Sequence, residues 1–95
     1  MMIRRRVIVS GDVQGVFFRD TCRREALDVG ATGWVRNLPD GTVEAVFEGE
    51  PGPVDRLVAW AARGPRQAVV DRVEVTQEEP EGLTGFEIRA TPSGR

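Results

Sequence analysis

The chain has 95 residues, 40% of them hydrophobic, and its 13 basic and 15 acidic side chains give a formal net charge of −2. These values predict one soluble domain over residues 1–95, and the slight acidic excess argues against a general binder of nucleic acids or membrane surfaces. The one cysteine excludes an internal disulfide framework, and no apolar run is long enough for a signal sequence or a membrane span, so we expect a cytoplasmic protein.

The first predicted strand covers residues 3–10 and alternates in polarity, with Val7 and Val9 on one face. A loop follows and leads into a predicted helix that ends near Gly30, a residue suited to a left-handed C-cap. The apolar stripe of this helix has helical spacing and consists of Phe18, Cys22, Ala26 and Val29. The start of the chain therefore predicts a strand, a tight loop and an amphipathic helix.

A hairpin is predicted next, from strands at 32–37 and 42–50. The turn between them combines a proline, which presets one dihedral angle, with an aspartate and a glycine; its sequence is Leu38-Pro39-Asp40-Gly41. Apolar and acidic residues alternate along the third strand, which predicts one buried face and one face in water. We therefore expect the acidic side chains of this strand to be solvated and partly paired with Arg4 and Arg6; they are Glu44, Glu48 and Glu50.

The second predicted helix begins at Pro51-Gly52-Pro53 and ends at Gly64-Pro65. Its apolar stripe consists of Val54, Leu57, Val58 and Ala61. A fourth strand is predicted at 69–78 with Val73 and Val75 facing inward, and a short last strand is marked by Phe86, Ile88 and Ala90. Residues 91–95 are predicted to form a frayed tail.

This order of elements predicts an α+β fold. Two helices are too few to shield both faces of a four-stranded sheet, so they cover one face. With right-handed crossovers the arrangement is a ferredoxin-like split βαβ sandwich, with an antiparallel sheet of order 4-1-3-2 and a short extra C-terminal strand. That fold hosts enzymes, RNA binders and regulatory modules, so function has to be argued from a site.

The loop after the first strand has the features of an anion-binding site. Glycines allow tight turning, so successive backbone N–H groups can point into one concavity, and a helix N-terminus adds free N–H groups and partial positive charge. Arg19 adds a permanently charged, planar guanidinium. We therefore predict a phosphoryl-binding nest formed by Gly11, Asp12, Val13, Gln14, Gly15, Val16 and Phe17.

The predicted topology brings Arg19 close to Asn37. The first and second strands are parallel to each other, so the loop after the first strand and the C-terminal end of the second lie at the same end of the sheet. An asparagine amide there can place a water molecule. Taken alone, Arg19 is also consistent with a solvated helix terminus and Asn37 with an ordinary turn residue.

The chain contains no histidine and no tyrosine, which removes the usual general base and histidine-containing zinc sites. Cys22 lies on the apolar helical stripe without a histidine to activate it, so core packing is the better interpretation than a nucleophile. A metal site at the glutamates of the third strand is a weaker alternative than solvation. Trp34 and Trp60 are interpreted as packing residues rather than ligand platforms.

Two segments resemble the signatures of the acylphosphatase family. Residues 11–19 resemble the first signature, G-x-V-Q-G-V-x-F-R, and residues 33–44 resemble the second, G-W-V-x-N-x-x-D-G-x-V-E; the resemblance covers essentially the whole domain. In that family the arginine of the first motif binds the substrate phosphate together with the loop amides, and the asparagine of the second orients the attacking water. The resemblance implies these roles for Arg19, the 11–17 loop and Asn37, in the hydrolysis of acyl phosphates to a carboxylate and inorganic phosphate.

This chemistry suits a protein without histidine. The leaving carboxylate has a conjugate acid with a pKa of about 4, so it departs as an anion without a general acid. Phosphoryl transfer is then mainly a matter of positioning and charge stabilisation. We therefore expect a monomer that needs no metal or other cofactor, takes a small-molecule acyl phosphate as substrate, binds inorganic phosphate or sulfate as competing anions, and acts poorly on phosphate monoesters.

Two other functions remain open from the sequence. An RNA-binding module of this fold would need exposed aromatic side chains and basic surroundings on the open face of the sheet. That face is predicted to alternate Arg and Glu, and aromatic residues make up only 6% of the chain. A non-catalytic acylphosphatase-like domain of a larger maturation protein is the second alternative, which the length of 95 residues disfavours.

Overall fold

The computed structural model describes residues 1–93, so the end of the predicted frayed tail, residues 94–95, lies outside the described residues. No helix in that range is long and apolar enough to cross a membrane. The elements follow the predicted order: β1 (Ile3–Asp12), α1 (Phe18–Val29), β2 (Thr32–Asn37), β3 (Val43–Gly49), α2 (Pro51–Ala61), β4 (Val69–Glu78) and β5 (Phe86–Ile88). The left-handed C-cap of α1 at Gly30, with a φ of 79°, was also predicted correctly.

The sheet has the strand order β4-β1-β3-β2-β5, which confirms the predicted order of the first four strands. β1 is antiparallel to β3 and β4, and β2 is antiparallel to β3. The short last strand ends at Ile88, before Ala90, and it pairs parallel to β2, so the sheet is mixed rather than wholly antiparallel. The sheet is mixed because the chain leaves β4 at one edge and joins the opposite edge as β5.

The main core lies between the sheet and the two helices. Inward side chains of the strands, among them Val7, Val9 and Phe47, meet the helical stripes that include Cys22 and Leu57. On α2 the buried position predicted for Val58 is taken by Trp60, and Val58 is only partly buried. The helices pack mainly on β1, β2, β3 and β5, so Val75 on the edge strand β4 is 48% exposed although it pairs with the inward-facing Val7.

The face of the sheet that carries no helices, the helix-free face, differs from one prediction. Every residue of β3 is buried, and the side chain of Glu48 is completely inaccessible to solvent, so the predicted solvation of Glu44 and Glu48 is wrong. The predicted pairing with the arginines of β1 is confirmed: Arg4 contacts Glu48 at 2.8 Å and Arg6 contacts Glu44. Solvent is excluded because the β4–β5 connection crosses this face, and three of its backbone amides donate to the Glu48 carboxylate.

Both tryptophans are buried, as predicted for packing residues. The ring of Trp34 lies on the helix-free face with three guanidinium groups around it: the Cζ atoms of Arg6, Arg36 and Arg89 are 5.8, 4.9 and 4.7 Å from the ring centre. These distances fall in the range of cation–π contacts. Because arginines cover it, Trp34 is not available to stack a nucleic-acid base on this face.

Candidate active site

The loop between β1 and α1 has an uncommon backbone conformation. Gly15 has a φ of 74° and Phe17 a φ of 63°, and Phe17 is the one non-glycine residue with positive φ in residues 1–93. Phe17 is 67% exposed, so burial of its ring does not hold it in this conformation. Left-handed backbone at a bulky residue costs free energy and occurs preferentially at ligand-binding sites. This loop leads directly into the N-terminus of α1, which begins at Phe18.

The backbone amides of this segment are left free by the fold. No backbone N–H from Gln14 to Asp20 donates a hydrogen bond to another group of residues 1–93; the first helical N–H that does so is that of Thr21, to the carbonyl oxygen of Phe17. Such unpaired donors at a helix start, with the partial positive charge of the helix dipole, favour an anion.

Buried neighbours hold this loop in place. Val13, the first residue after β1, is buried, and Phe18, the first residue of α1, packs against Trp60 of α2 with ring centroids 5.0 Å apart. Gly11 pairs with Val70 of β4 beside a register shift, and a Cβ atom at Gly11 would lie 2.2 Å from the carbonyl oxygen of Val69. Gly11 is therefore required for close packing of β1 against β4.

A cleft of about 330 Å³ opens at this loop. It is lined by Val13, Gly15, Phe17, Phe18, Arg19, Asp20, Asn37 and Ile88. The structure thus brings together Arg19, Asn37 and part of the predicted nest. Four predicted nest residues do not line the cleft: Gly11 and Asp12, which lie in β1, and Gln14 and Val16.

The strand register explains why two residues so far apart in sequence share one cleft. Val43 of β3 pairs with Val9 of β1 on one side and with Asn37 of β2 on the other. The last residue of β2 is therefore level with Val9, three residues before β1 ends and the loop begins.

Two polar side chains of the cleft have unused hydrogen-bonding groups. Arg19 forms no ion pair or side-chain hydrogen bond with any group of residues 1–93. The Oδ1 atom of Asn37 is buried and, in the described part of the chain, lacks a hydrogen-bond donor. A buried amide oxygen without a donor is costly, so this atom marks a place for an O–H or N–H group. Asp20 is the acidic side chain of the cleft and lies in the first turn of α1.

Some features of the site escaped sequence reasoning. Ile88 reaches the cleft because β5 joins the edge next to β2, a pairing that no local pattern indicates. The side chain of Gln14 turns away from the cleft and donates to the carbonyl oxygens of Leu38 and Thr42, each at 2.9 Å. Nothing in the sequence indicates that Ile88 lines the cleft. For the hydrogen bonds of Gln14, the one indication is that this residue belongs to the first motif.

Cys22 does not belong to the site. It is completely buried in the core, and burial, together with the nearby Glu25 carboxylate, raises the pKa of its thiol well above the ordinary value. A thiol that is neutral and inaccessible is not a nucleophile. This agrees with the packing role that the helical spacing predicted.

The fold and the cleft define a small α+β protein with a loop of unpaired backbone amides at a helix N-terminus and an asparagine that lines the same cleft. The acylphosphatase family model matches residues 5–88, so this chain belongs to the acylphosphatase family and is a hydrolase. An acylphosphatase of Rubrobacter xylanophilus is 63% identical over 86 residues, which cover 88% of this chain and 77% of that protein.

Solved structures of acylphosphatases have the same fold as this chain. An acylphosphatase from Coxiella burnetii superposes with a TM-score of 0.89 at 41% identity, over 93% of each chain. The structure of HypF from T. kodakarensis matches 97% of this chain with a TM-score of 0.80 at 29% identity, but only 12% of that much longer chain. A domain similar to this chain therefore also occurs as a small part of a larger protein.

Proposed function

We propose that this protein hydrolyses the carboxyl–phosphate bond of acyl phosphates by direct attack of a water molecule, with Arg19 and the 11–17 loop holding the phosphoryl group and Asn37 placing the water. The observation that carries the proposal is that Arg19, which has no ion pair within residues 1–93, and Asn37, whose buried Oδ1 has no hydrogen-bond donor there, line one cleft. Membership of the acylphosphatase family supports the substrate class.

Charge complementarity supports phosphate binding by the loop. The phosphoryl group is a dianion, and the guanidinium of Arg19 can donate two parallel hydrogen bonds to its oxygens. The free amides from Gln14 to Asp20 and the dipole of α1 add donors that need no reorganisation during the reaction. Of the predicted nest, Val13, Gly15 and Phe17 line the cleft, and we assign contact with the phosphoryl group to this part of the loop.

The amide oxygen of Asn37 suits the placement of water. As an acceptor, Oδ1 can take a hydrogen bond from one O–H of a water molecule, which leaves a lone pair of the water oxygen free to attack phosphorus. The new oxygen–phosphorus bond forms as the bond to the acyl oxygen breaks, and the carboxylate leaves with the electron pair. Both protons of the water pass to the phosphate product, so the step needs no protein base and no covalent intermediate.

The proposal predicts that the purified protein hydrolyses benzoyl phosphate, that EDTA leaves the rate unchanged, and that inorganic phosphate or sulfate inhibits competitively. p-Nitrophenyl phosphate should react far more slowly, because its leaving group is more basic than a carboxylate. Equal rates on the two substrates would indicate a general phosphatase instead.

Two variants separate the two roles. Arg19→Ala should lose phosphate inhibition as well as turnover, with kcat lower by about 10²–10³-fold, as expected for removal of one preorganised donor. Asn37→Ala should lose turnover to a similar extent while its inhibition constant for inorganic phosphate stays close to wild type. A near wild-type kcat for Asn37→Ala would refute the assignment of the water-placing residue.

A further inference from the structure

Gln14 connects the two halves of the cleft. Its carboxamide nitrogen donates one hydrogen bond to the carbonyl oxygen of Leu38 and one to that of Thr42, both at 2.9 Å. Leu38 directly follows Asn37, and Thr42 lies on the other side of the β2–β3 turn. These are the only side-chain hydrogen bonds within residues 1–93 that join the segment 11–19 to the segment 37–42.

No backbone hydrogen bond within residues 1–93 adds a second link between the loop and the segment that carries Asn37. The pairing of β1 with β3 ends at Val9, and the residues between Val13 and α1 belong to no strand. Both N–H groups of the Gln14 carboxamide donate hydrogen bonds, so the orientation of the carboxamide is fixed as well as its distance from the β2–β3 turn. The side chain does not line the cleft and therefore does not touch the substrate in the proposed mechanism.

We propose that Gln14 is a positioning residue that ties the anion-binding loop to the strand end carrying Asn37 and so sets the distance between the bound phosphorus and the attacking water. The proposal rests on the function assigned to Asn37 above. Displacement of a reacting group by about 1 Å can reduce a rate about 100-fold, so a tether of this kind has a large effect on turnover.

The turn itself does not depend on Gln14. The carbonyl oxygen of Leu38 also accepts from the N–H of Gly41 at 3.2 Å, and that of Thr42 from the N–H of Leu38 at 2.9 Å. Replacement of Gln14 by methionine, which is similar in length but has no donor, removes the tether and leaves both carbonyl oxygens with a partner. We therefore expect the variant to fold.

The test measures kcat, KM and the inhibition constant of inorganic phosphate for Gln14→Met with benzoyl phosphate as substrate. We expect kcat to fall about 10- to 100-fold while the phosphate inhibition constant changes by less than about threefold, because the loop still binds the anion. Gln77→Met is the matched control, since Gln77 is exposed on β4 and lies outside the cleft; it should keep wild-type kinetics. An unchanged kcat for Gln14→Met, or a loss of phosphate binding equal to the loss of kcat, would overturn the proposal.

The double variant Gln14→Met/Asn37→Ala tests whether Gln14 acts through Asn37. We expect it to be no slower than Asn37→Ala alone, whereas fully multiplicative losses would show independent action and overturn the proposal. A wild-type kcat for Asn37→Ala alone would refute the water-placing role of Asn37 on which the tether rests, and an impaired Asn37→Ala beside an unimpaired Gln14→Met would refute only the tether.

If Gln14→Met does not fold, Gln14→Asn replaces it. Asparagine keeps the amide but shortens its reach by one methylene group, so it cannot hold both carbonyl oxygens in the same position. The same loss of kcat with retained phosphate binding is expected, and wild-type turnover in Gln14→Asn would overturn the proposal equally.

Discussion

Replacement of Glu48 by glutamine tests how the buried charge on the helix-free face contributes to stability. Oε2 of Glu48 accepts hydrogen bonds from Arg4 and from the backbone N–H of Glu81, both at 2.8 Å. Oε1 accepts from the backbone N–H groups of Gly82 and Leu83 at 3.1 and 3.0 Å. Every partner of the carboxylate is a donor, so an amide NH₂ at either oxygen position would face donors.

The expected loss is about 3 kcal/mol. Removal of one partner from a buried ion pair costs about 3–5 kcal/mol because the other charge loses its compensation. The lower end applies here because Arg4 keeps a second carboxylate, that of Glu78, at 2.7 Å. For a domain of this size each kcal/mol lowers Tm by about 4–8 °C, so the predicted decrease is about 12–24 °C.

Urea denaturation at pH 7, followed by tryptophan fluorescence, measures the free energy of unfolding of Glu48→Gln. Glu50→Gln is the matched control: Glu50 is exposed, and within residues 1–93 its side chain has one ion pair, with the N-terminal ammonium group at 3.0 Å, so its replacement should change stability by less than about 0.5 kcal/mol. A loss below about 1 kcal/mol for Glu48→Gln would refute the reasoning.

The same carboxylate makes stability depend on pH. Burial alone would raise the pKa of Glu48, but the N–H groups of Glu81 and Leu83 and the Arg4 guanidinium outweigh it and hold the pKa below its ordinary value of 4.5. Because the folded-state pKa is lower than the unfolded one, the stabilisation is present above pH 4.5 and is lost as the pH falls through the folded-state pKa. Glu48→Gln should show a smaller loss of stability on acidification below pH 4.5 than wild type; an equal loss would contradict this assignment.

Two further predictions concern the loop and the core. Gly15→Ala introduces a Cβ atom that meets nothing within 4 Å, so its cost is conformational, about 1–2 kcal/mol at a φ of 74°; we expect weaker inhibition by inorganic phosphate, and unchanged inhibition would contradict the role of the loop backbone. Cys22 should not react with a thiol reagent in the native protein and should react fully in urea, and rapid native labelling with loss of activity would contradict its burial.

Local signals predicted most of the architecture. The periodicity of apolar residues, together with Pro39, Gly30 and the other turn and cap residues, determined the order of all seven elements, and the right-handed crossover rule then gave the order of the first four strands. Arg19 and Asn37 could be paired in advance because both lie next to strand ends that this topology puts at one end of the sheet.

Glu48 could not be assigned correctly from its strand. An alternating strand predicts a solvated glutamate, and only the chain segment that crosses the same face, with donors at Glu81, Gly82 and Leu83, makes it a buried anion. The parallel pairing of β5 with β2 also depends on distant parts of the chain. The strand Phe86–Ile88 is too short for its own residue pattern to specify which strand it pairs with.

The sequence by itself determined the elements, their order, and the residue types available for chemistry, because these depend on neighbours within a few positions along the chain. The tertiary structure decided which side chains meet: the bond from Gln14 to the β2–β3 turn, the burial of Glu48 and the place of Ile88 in the cleft. Those contacts join distant segments, and their free energy depends on what surrounds and covers them, which no local pattern encodes.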